Sequence, residues 1–259
     1  MFRDPREVRE LIRPGDRVLD IGGAEEVFPR ANVVLDIVPY EGRQPGRITD
    51  EAEQFTADSW FVTDICSPQI WKRFGDQEFD FVLCSHTLED IRDPISVCRE
   101  MNRVAKRGYI ECPSRLRECT RDDAAVRSAG WPHHRWIVDF ENGYLIFTAK
   151  GQWAHDFNYA GPRSRLCLSF QALQFIGLEW EGSFGYYERM GKGPVIEAEN
   201  TFHYFANFPF DQPPSPIVRA KDVPQDPRTF RGHREFLLPV EVGERPEDTL
   251  ARYRRRKPD

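Results

Sequence analysis

Short apolar runs recur along the first half of the chain, and most of them end at a glycine, a proline or an acidic residue. They cover residues 17–21, 32–36, 60–64, 79–84 and 108–113. A run of this length between turn signals is typical of a strand buried on both faces, as in a parallel sheet. The pattern therefore predicts five buried strands.

Two helices are predicted from their capping signals. Asp4-Pro5 begins a helix that continues to about Ile12, and Asp93-Pro94 begins a second. The second helix is expected to close at residues 106–108, where two cations precede a glycine. Its apolar positions at helical spacing are Ile95, Cys98, Met101 and Ala105. Only residues 23–31 separate the first two strands, so that crossover is a very short helix or an irregular loop.

The pattern changes after Pro113. Residues 136–140 and 144–148 flank Asn142-Gly143, which predicts a hairpin. Residues 168–176 are predicted to be helical, and residues 178–188 and 201–208 to be strands. The aromatic residues of the last segment are interpreted as strand core: Phe202, Tyr204, Phe205 and Phe208.

Strands that alternate with helices predict an α/β fold with a mainly parallel sheet, whose ligand groups lie at the carboxyl ends of the strands. We expect one domain over residues 1–208, with residues 114–167 inserted as a substrate cap after the fifth strand. Residues 209–259 are rich in proline and are expected to form an extended arm. A homo-oligomer formed through this arm is left open.

Composition narrows the function classes. The net charge of −6 argues against a general nucleic-acid binder, and the basic run at 252–257 is interpreted as a solvated terminus. No apolar run approaches the ~20 residues of a membrane helix, and the N-terminus lacks the apolar centre of a secretory signal. The six cysteines form no Cys-x-x-Cys pair. A reduced, cytoplasmic enzyme is the simplest expectation.

The first strand runs directly into a glycine pair. Gly22 and Gly23 allow the backbone to come close to a ligand. The second strand ends at Asp36, the spacing that places an acid near a nucleotide ribose in βαβ units. The third strand also ends in an acid, Asp64.

The fourth strand continues into Ser85-His86-Thr87-Leu88-Glu89-Asp90. This segment, together with the glycine strand, Asp36, Asp64 and the stretch at 103–108, resembles a class I S-adenosylmethionine-dependent methyltransferase of the type 11-like group. The His-His-Arg-Trp segment at 133–136 resembles a bacterial subgroup of that family. The resemblance implies a Rossmann-like, seven-stranded sheet and S-adenosylmethionine as cofactor.

The resemblance also implies a role for each matching position. Asp20, Gly22 and Gly23 would form the floor under the methionine part of the cofactor. Asp36 would accept hydrogen bonds from both ribose hydroxyls. The remaining cofactor contacts would be Asp64 to the adenine amino group, Ile65 against the adenine ring, Ser85 and His86 beside the sulfonium, and Leu88 behind it.

The chain departs from the family's glycine pattern. The family has Asp-x-Gly-x-Gly-x-Gly, whereas this chain has Asp20-Ile-Gly-Gly-Ala-Glu-Glu26. Only the first glycine is in register. A reshaped methionine pocket and a degenerate site are both consistent with this departure.

For the acceptor, a histidine or carboxylate is expected to remove its proton. His134 is the first candidate for this catalytic role, with His133 nearly equal and Glu111 as a third. Arg115, Arg135 and Trp136 are candidates for substrate binding, since arginine can hold a carboxylate or phosphate. A zinc site from Cys112, Cys119, His133 and His134 has no supporting local spacing, so no metal is predicted.

These observations predict an enzyme that moves a methyl group from S-adenosylmethionine to an oxygen of a small polar acceptor, such as a sugar or secondary metabolite. The alternatives are a non-catalytic scaffold of the same fold and a methyltransferase acting on carbon or nitrogen. Neither nucleic acid nor a membrane is expected as a partner.

Overall fold

The structure is a computed structural model that describes residues 5–24, 26–44, 50–121, 128–141, 143–156, 174–191, 193–207 and 217–219. Internal contacts divide the chain into two units, Met1–Val223 and Pro224–Asp259, and every described residue belongs to the first. The predicted arm at 209–259 lies outside the described residues except for 217–219. In the described ranges, no helix combines the length and the apolar character needed to cross a membrane.

The helices are α1 (Pro5–Leu11), α2 (Pro68–Trp71), α3 (Pro94–Val104), α4 (Arg115–Glu118), α5 (Trp153–Asp156) and α6 (Pro194–Asn207). The strands are β1 (Val18–Ile21), β2 (Val33–Asp36), β3 (Trp60–Val62), β4 (Phe81–Ser85), β5 (Arg107–Pro113), β6 (Trp136–Glu141), β7 (Tyr144–Ala149), β8 (Phe175–Glu181), β9 (Gly185–Arg189) and β10 (Ile217–Arg219).

Seven of the described strands form one sheet in the order β10-β8-β5-β4-β1-β2-β3. Strands β1 to β5 are mutually parallel, which confirms the predicted Rossmann-like α/β class. Strand β8 runs antiparallel to β5, and β10 runs parallel to β8. The chain order reverses between β1 and β4, because β2 and β3 lie on one side of β1 and β4 and β5 on the other. Such a switch point is where open α/β sheets bind ligands.

The predicted hairpin is confirmed as β6 and β7, which pair from Trp136–Ala149 to Glu141–Tyr144. Gly143 adopts a φ of +85° in the turn, a conformation that glycine tolerates without strain. Strand β9 adds to β7 in parallel and completes a second, three-stranded sheet. Val138, Leu145 and Phe147 of the hairpin belong to the same buried cluster as the main sheet, so the hairpin packs on the sheet face.

Both helices predicted from capping signals are present. Helix α3 begins where predicted, since the Asp93 carboxylate accepts a hydrogen bond from Ser96 N–H at 3.0 Å. Its buried face comprises Val97, Cys98, Met101 and Val104, whereas Ile95 is only partly buried. The crossover at 23–31 contains no helix among its described residues, as the short spacing allowed. The expectation that Gly108 closes α3 is wrong, because that glycine lies inside β5.

Three predictions in the second half also differ from the structure. Residues 201–208 were expected to form a strand, but residues up to Asn207 belong to α6, in which Glu197, Thr201 and Phe205 are buried at a spacing of one helical turn. Phe202 is exposed, and Phe208 lies outside the described residues. The predicted strand at 178–188 is two strands, β8 and β9, separated by Gly182 at φ +78°. Phe175 and Ile176, expected to be helical, begin β8.

Gly108 tests how tightly the sheet is packed. A Cβ at this position would lie 2.6 Å from Val82 Cγ1 and from the Val82 carbonyl oxygen, and 2.9 Å from the Trp180 ring. Backbone atoms cannot give way, so Gly108→Ala should lower the free energy of unfolding by about 1–3 kcal/mol. The control is Gly75→Ala, where the contact found within 4 Å among the described residues is Glu78 Oε2 at 3.8 Å. Urea unfolding measures both, and equal stability of the two variants would contradict this packing.

Candidate active site

A cavity of about 630 Å³ opens at the carboxyl edge of the parallel strands. The ends of β1, β2, β3 and β4 border it, together with the residues that follow them. Because β8 is antiparallel, its first residue, Phe175, lies at the same edge, opposite Pro113 of β5. The cavity therefore spans the switch point between β1 and β4.

The glycine pair forms the floor of this cavity for a steric reason. Gly22 has a φ of +76°, and a Cβ there would lie 2.0 Å from Thr87 Oγ1. The Thr87 hydroxyl lies within hydrogen-bond distance of two carbonyl oxygens, that of Ser85 at 3.0 Å and that of Ile21 at 3.3 Å. A Cβ on Gly23 would lie 2.8 Å from Asp20 Oδ2. The loops after β1 and β4 thus touch, and only glycine at position 22 permits this.

Two buried carboxylates stand beside the glycine pair. Asp20 Oδ2 accepts a hydrogen bond from Phe28 N–H at 2.9 Å. Asp36 accepts from Ala24 N–H at 2.9 Å and from Val38 N–H at 2.8 Å, one bond to each oxygen. Burial raises the pKa of Asp20 to about 7, the charge of Asp36 adds to this, and the bond from Phe28 opposes it. The two carboxylates therefore lie close together in a buried site, which favours the binding of a cationic ligand.

Asp64 and Ile65 border the same cavity beyond the end of β3. Asp64 Oδ1 accepts from Cys66 N–H at 2.8 Å, and Oδ2 forms an ion pair with Arg92. The hydrogen bond from Arg92 lowers the pKa of Asp64, so this carboxylate is ionised. Asp36 and Asp64 thus line one hollow, and each retains acceptor capacity because a carboxylate offers about four lone-pair positions.

His86 lies between two carboxylates at the end of β4. Its Nδ1 is 3.4 Å from Glu89 Oε1 and its Nε2 is 3.3 Å from Glu111 Oε1. Burial alone lowers the pKa of His86, but the bonds to Glu111 and Glu89 together outweigh it and raise the pKa to about 9. At neutral pH the ring is therefore an imidazolium, which donates hydrogen bonds and cannot take up a proton. Its backbone φ of +50° is unusual for a residue with a side chain.

The other predicted residues of this segment differ in exposure to the cavity. Ser85 borders it, and its buried Oγ meets no hydrogen-bond partner among the described residues. Leu88 is fully buried in the main core and does not border the cavity. Glu111 is likewise absent from the lining, and its Oε2 accepts from Tyr109 Oη–H at 2.8 Å. Its other oxygen, Oε1, lies beside His86, which does border the cavity.

The segment that follows α4 supplies the far wall of the cavity. Trp131, His133 and His134 border it, and the His134 ring stacks on Trp131 with centroids 5.2 Å apart. His134 Nδ1 lies 2.8 Å from Glu118 Oε1. Because a carboxylate only accepts, Nδ1 donates to Glu118 and Nε2 is the ring nitrogen on the opposite side. Within the predicted cap, the described cavity-lining residues are these three and Arg117.

The site also involves residues that were not among the predicted site residues. Asp90 borders the cavity and lies within 4 Å of both histidines. Arg117 places its guanidinium 4.0 Å from the centre of the Trp131 ring. Glu118 and Lys150 form an ion pair that is fully buried behind His134. Asp90 could have been singled out from the sequence, because it occupies the position of the second histidine in the family's Ser-His-x-Leu-Glu-His-like segment.

The three residues predicted to bind substrate lie outside the cavity lining. Arg115 is buried and forms a bidentate ion pair with Asp139, with bonds of 2.5 to 3.1 Å. Trp136 donates from Nε1 to the Ile91 carbonyl oxygen at 2.8 Å. Arg135 is exposed, and its backbone N–H donates to the Glu89 carbonyl oxygen. Arg115 and Trp136 therefore bond to other parts of the protein behind the cavity wall and stabilise that wall.

The cysteines considered as zinc ligands remain thiols. Burial raises the pKa of Cys119 to about 12 and that of Cys112 well above its usual value. A metal ligand must be a thiolate.

Comparison with known proteins identifies the family. Residues 1–181, more than half of the chain, match the family model described as a methyltransferase domain. The chain belongs to this family of methyltransferase domains, which confirms the predicted class. The His-His-Arg-Trp subgroup stays a prediction. No curated protein matches the chain.

Solved structures also resemble it. An S-adenosylmethionine-dependent methyltransferase from Mesorhizobium loti is 14% identical, with 56% of this chain and 62% of that chain covered and a TM-score of 0.34. A putative methyltransferase from Bacillus halodurans is 17% identical, with coverage of 48% and 55% and a TM-score of 0.33. The N-terminal domain of EvdMO1 with SAH bound is 18% identical, with coverage of 54% and 58% and a TM-score of 0.32. The chain spans less than two thirds of each of these three structures.

A substitution at Arg115 tests whether this residue stabilises the fold or binds substrate. Arg115→Met would leave the Asp139 carboxylate buried without its partner, so we expect a loss of about 3–5 kcal/mol in the free energy of unfolding. Arg135→Met is the control, because that side chain is exposed. Thermal and urea unfolding measure the loss. The double variant Arg115→Met/Asp139→Leu should recover much of it, and a stable Arg115→Met single variant would contradict this role.

Proposed function

We propose that the protein transfers a methyl group from S-adenosylmethionine to an oxygen of a small polar acceptor, such as a sugar or secondary metabolite. The observation that carries this proposal is the composition of one cavity. The half beside β1, β2 and β3 is lined by Asp20, Asp36 and Asp64, and the other half by imidazoles. The first half suits a cationic nucleoside and the second an acceptor that must lose a proton.

The residues fit the cofactor at several points. Gly22 and Gly23 provide a floor that any side chain would fill. Asp36 is fixed by two backbone N–H groups and keeps lone pairs for two hydroxyls. When bound, S-adenosylmethionine supplies an electrophilic methyl group on a sulfonium. Buried carboxylates favour that positive charge.

On the acceptor side, the histidines are the groups suited to activating a hydroxyl. His86 is excluded as a base because it is already protonated at neutral pH. His134 presents Nε2 toward the cavity side because Glu118 holds the Nδ1 proton. Arg117, Trp131 and Phe175 shape the remaining wall. A polar wall of this kind suits a small polar acceptor better than an apolar one.

The second candidate is a scaffold of the same fold without catalytic activity. It is favoured by the ion pair between Arg92 and Asp64, which occupies one of the two oxygens expected to meet adenine. Transfer of radiolabel from S-adenosylmethionine to a product in cell lysate would exclude it. Mass-spectral fragmentation of that product would separate oxygen from carbon or nitrogen as the methylated atom. A cytoplasmic location and assembly through residues 209–259 stay predictions.

Asp36 tests cofactor binding. Asp36→Ala removes an acceptor of the ribose hydroxyls, and we expect the Kd for S-adenosylhomocysteine to rise about 10–100-fold, since bonds to charged groups are worth roughly 1.5–3 kcal/mol. Asp58→Ala, an exposed position, is the control and should bind like the wild type. Isothermal titration measures both. No binding by the wild-type chain would refute the proposal.

Asp20 predicts a pH dependence. Its pKa of about 7 means that its carboxylate becomes fully ionised only as pH rises through neutrality. The ionised form attracts the ammonium group of the ligand, so affinity for S-adenosylhomocysteine should rise between pH 6 and pH 8. Asp20→Asn should bind more weakly and show a flatter profile, with Asp58→Asn as the control. A wild-type affinity that falls over this range would contradict the assignment.

A further inference from the structure

The cluster of Asp90, His133 and His134 on the cavity wall is not explained by methyl transfer alone. One oxygen or nitrogen from each of the three side chains lies within 4.8 Å of the others. Asp90 Oδ1 is 3.7 Å from His134 Nε2 and 3.9 Å from His133 Nε2. These separations are too long for hydrogen bonds. Asp90 Oδ1 is nevertheless buried and meets no hydrogen-bond partner among the described residues.

We propose that Asp90, His133 and His134 bind a divalent transition-metal ion on the acceptor side of the cavity. Two imidazoles and one carboxylate are a ligand set suited to zinc, manganese, iron or cobalt, and unlike the all-oxygen sets of magnesium and calcium. With metal–ligand bonds of about 2.0–2.1 Å, neighbouring ligands of a tetrahedral ion lie about 3.4 Å apart. The two separations from Asp90 Oδ1, 3.7 and 3.9 Å, approach this value, and the histidine nitrogens lie within 4.8 Å of each other, so side-chain rotations can bring all three to one ion.

The orientation of the His134 ring also supports the site. Its Nδ1 lies 2.8 Å from Glu118 Oε1, so the other ring nitrogen, Nε2, is directed at Asp90 Oδ1, 3.7 Å away. The gap between these two atoms is wider than a hydrogen bond and has room for an ion bonded to both.

The groups behind His134 are those that metal-binding histidines use. A ligating histidine commonly donates its second N–H to a carboxylate, which fixes the ring and raises its basicity. Glu118 has this position, and its other oxygen is paired with Lys150, whose Nζ also donates to the Trp131 carbonyl oxygen at 2.8 Å. Both charged side chains are fully buried, so the position of the His134 ring is strongly fixed.

Three protein ligands leave at least one coordination position open toward the cavity. Under the proposed function, that position would take the acceptor oxygen, and the ion would lower the pKa of the bound hydroxyl so that its proton passes to water. The oxygen would then form a bond to the methyl carbon as the bond from that carbon to the sulfonium sulfur breaks, which leaves S-adenosylhomocysteine. The histidines then act through the ion and not as free bases. This role rests on the proposed function, whereas metal binding itself does not.

Cobalt titration tests the site directly. The full chain is stripped of metal with a chelator and titrated with Co²⁺. We expect one ion per chain, with visible d–d absorption that disappears when Zn²⁺ displaces the Co²⁺. His134→Ala and His133→Ala should abolish the absorption. His133 is largely exposed, so its variant should fold even if His134→Ala does not. His203→Ala, an exposed histidine on α6, is the control and should bind like the wild type.

Glu118→Gln provides a second readout, because a structural role alone would not change metal affinity. We expect its Kd for Co²⁺ to rise about 10–100-fold with the circular dichroism unchanged. If the variant unfolds, His133→Ala decides the question. Wild-type chain without the visible absorption, or His133→Ala that retains it, would overturn the proposal.

The same preparations are titrated with S-adenosylhomocysteine to separate this inference from the proposed function. Binding of S-adenosylhomocysteine without binding of Co²⁺ refutes the metal site and leaves the proposed function standing. Binding of Co²⁺ without binding of S-adenosylhomocysteine supports the metal site and refutes the proposed function.

Discussion

The contact between Gly22 and Thr87 is the constraint on which the site depends. It joins the loop after β1 to the loop after β4, the two strands on either side of the point where the chain order reverses. With a side chain at position 22 the loops would separate, and the carboxylates beside β1 and β2 would lose their fixed relation to the histidine after β4. The positive φ at Gly22 and the left-handed backbone at His86 both serve this closure.

Charge is distributed unevenly along the resulting cavity. Asp20 and Asp36 are both buried, and burial raises the pKa of Asp20, to which the charge of Asp36 adds. His86 is the opposite case, since two carboxylates keep it protonated. A ligand that carries positive charge is therefore favoured at the half beside β1 and β2, while the other half is lined by the rings of His133 and His134. This difference in charge, more than the shape of the cavity, indicates which half suits a cationic ligand.

The sequence predicted the parallel half of the fold well because each of its strands is a short apolar run with a clear stop. The wrong predictions have equally physical reasons. Thr201 to Phe205 is rich in residues that favour strands, yet Glu197, Thr201 and Phe205 are buried at helical spacing, a pattern that a longer window would have contained. Asp90 and His133 are brought together by tertiary structure, and no local spacing joins them. Arg115 looked available for a ligand because a sequence does not reveal its partner Asp139.

The pairing of Arg115 with Asp139 also joins distant parts of the chain. The arginine belongs to α4, the aspartate to β6, and Thr201 of α6 accepts a further bond from Arg115 at 3.0 Å. Helix α4 also carries Glu118, which orients His134. Under the proposed function, residues of α6 and the hairpin therefore affect the acceptor side of the cavity without contacting the acceptor. Substitutions there would change the position of His134 while the carboxylates beside β1, β2 and β3 stayed in place.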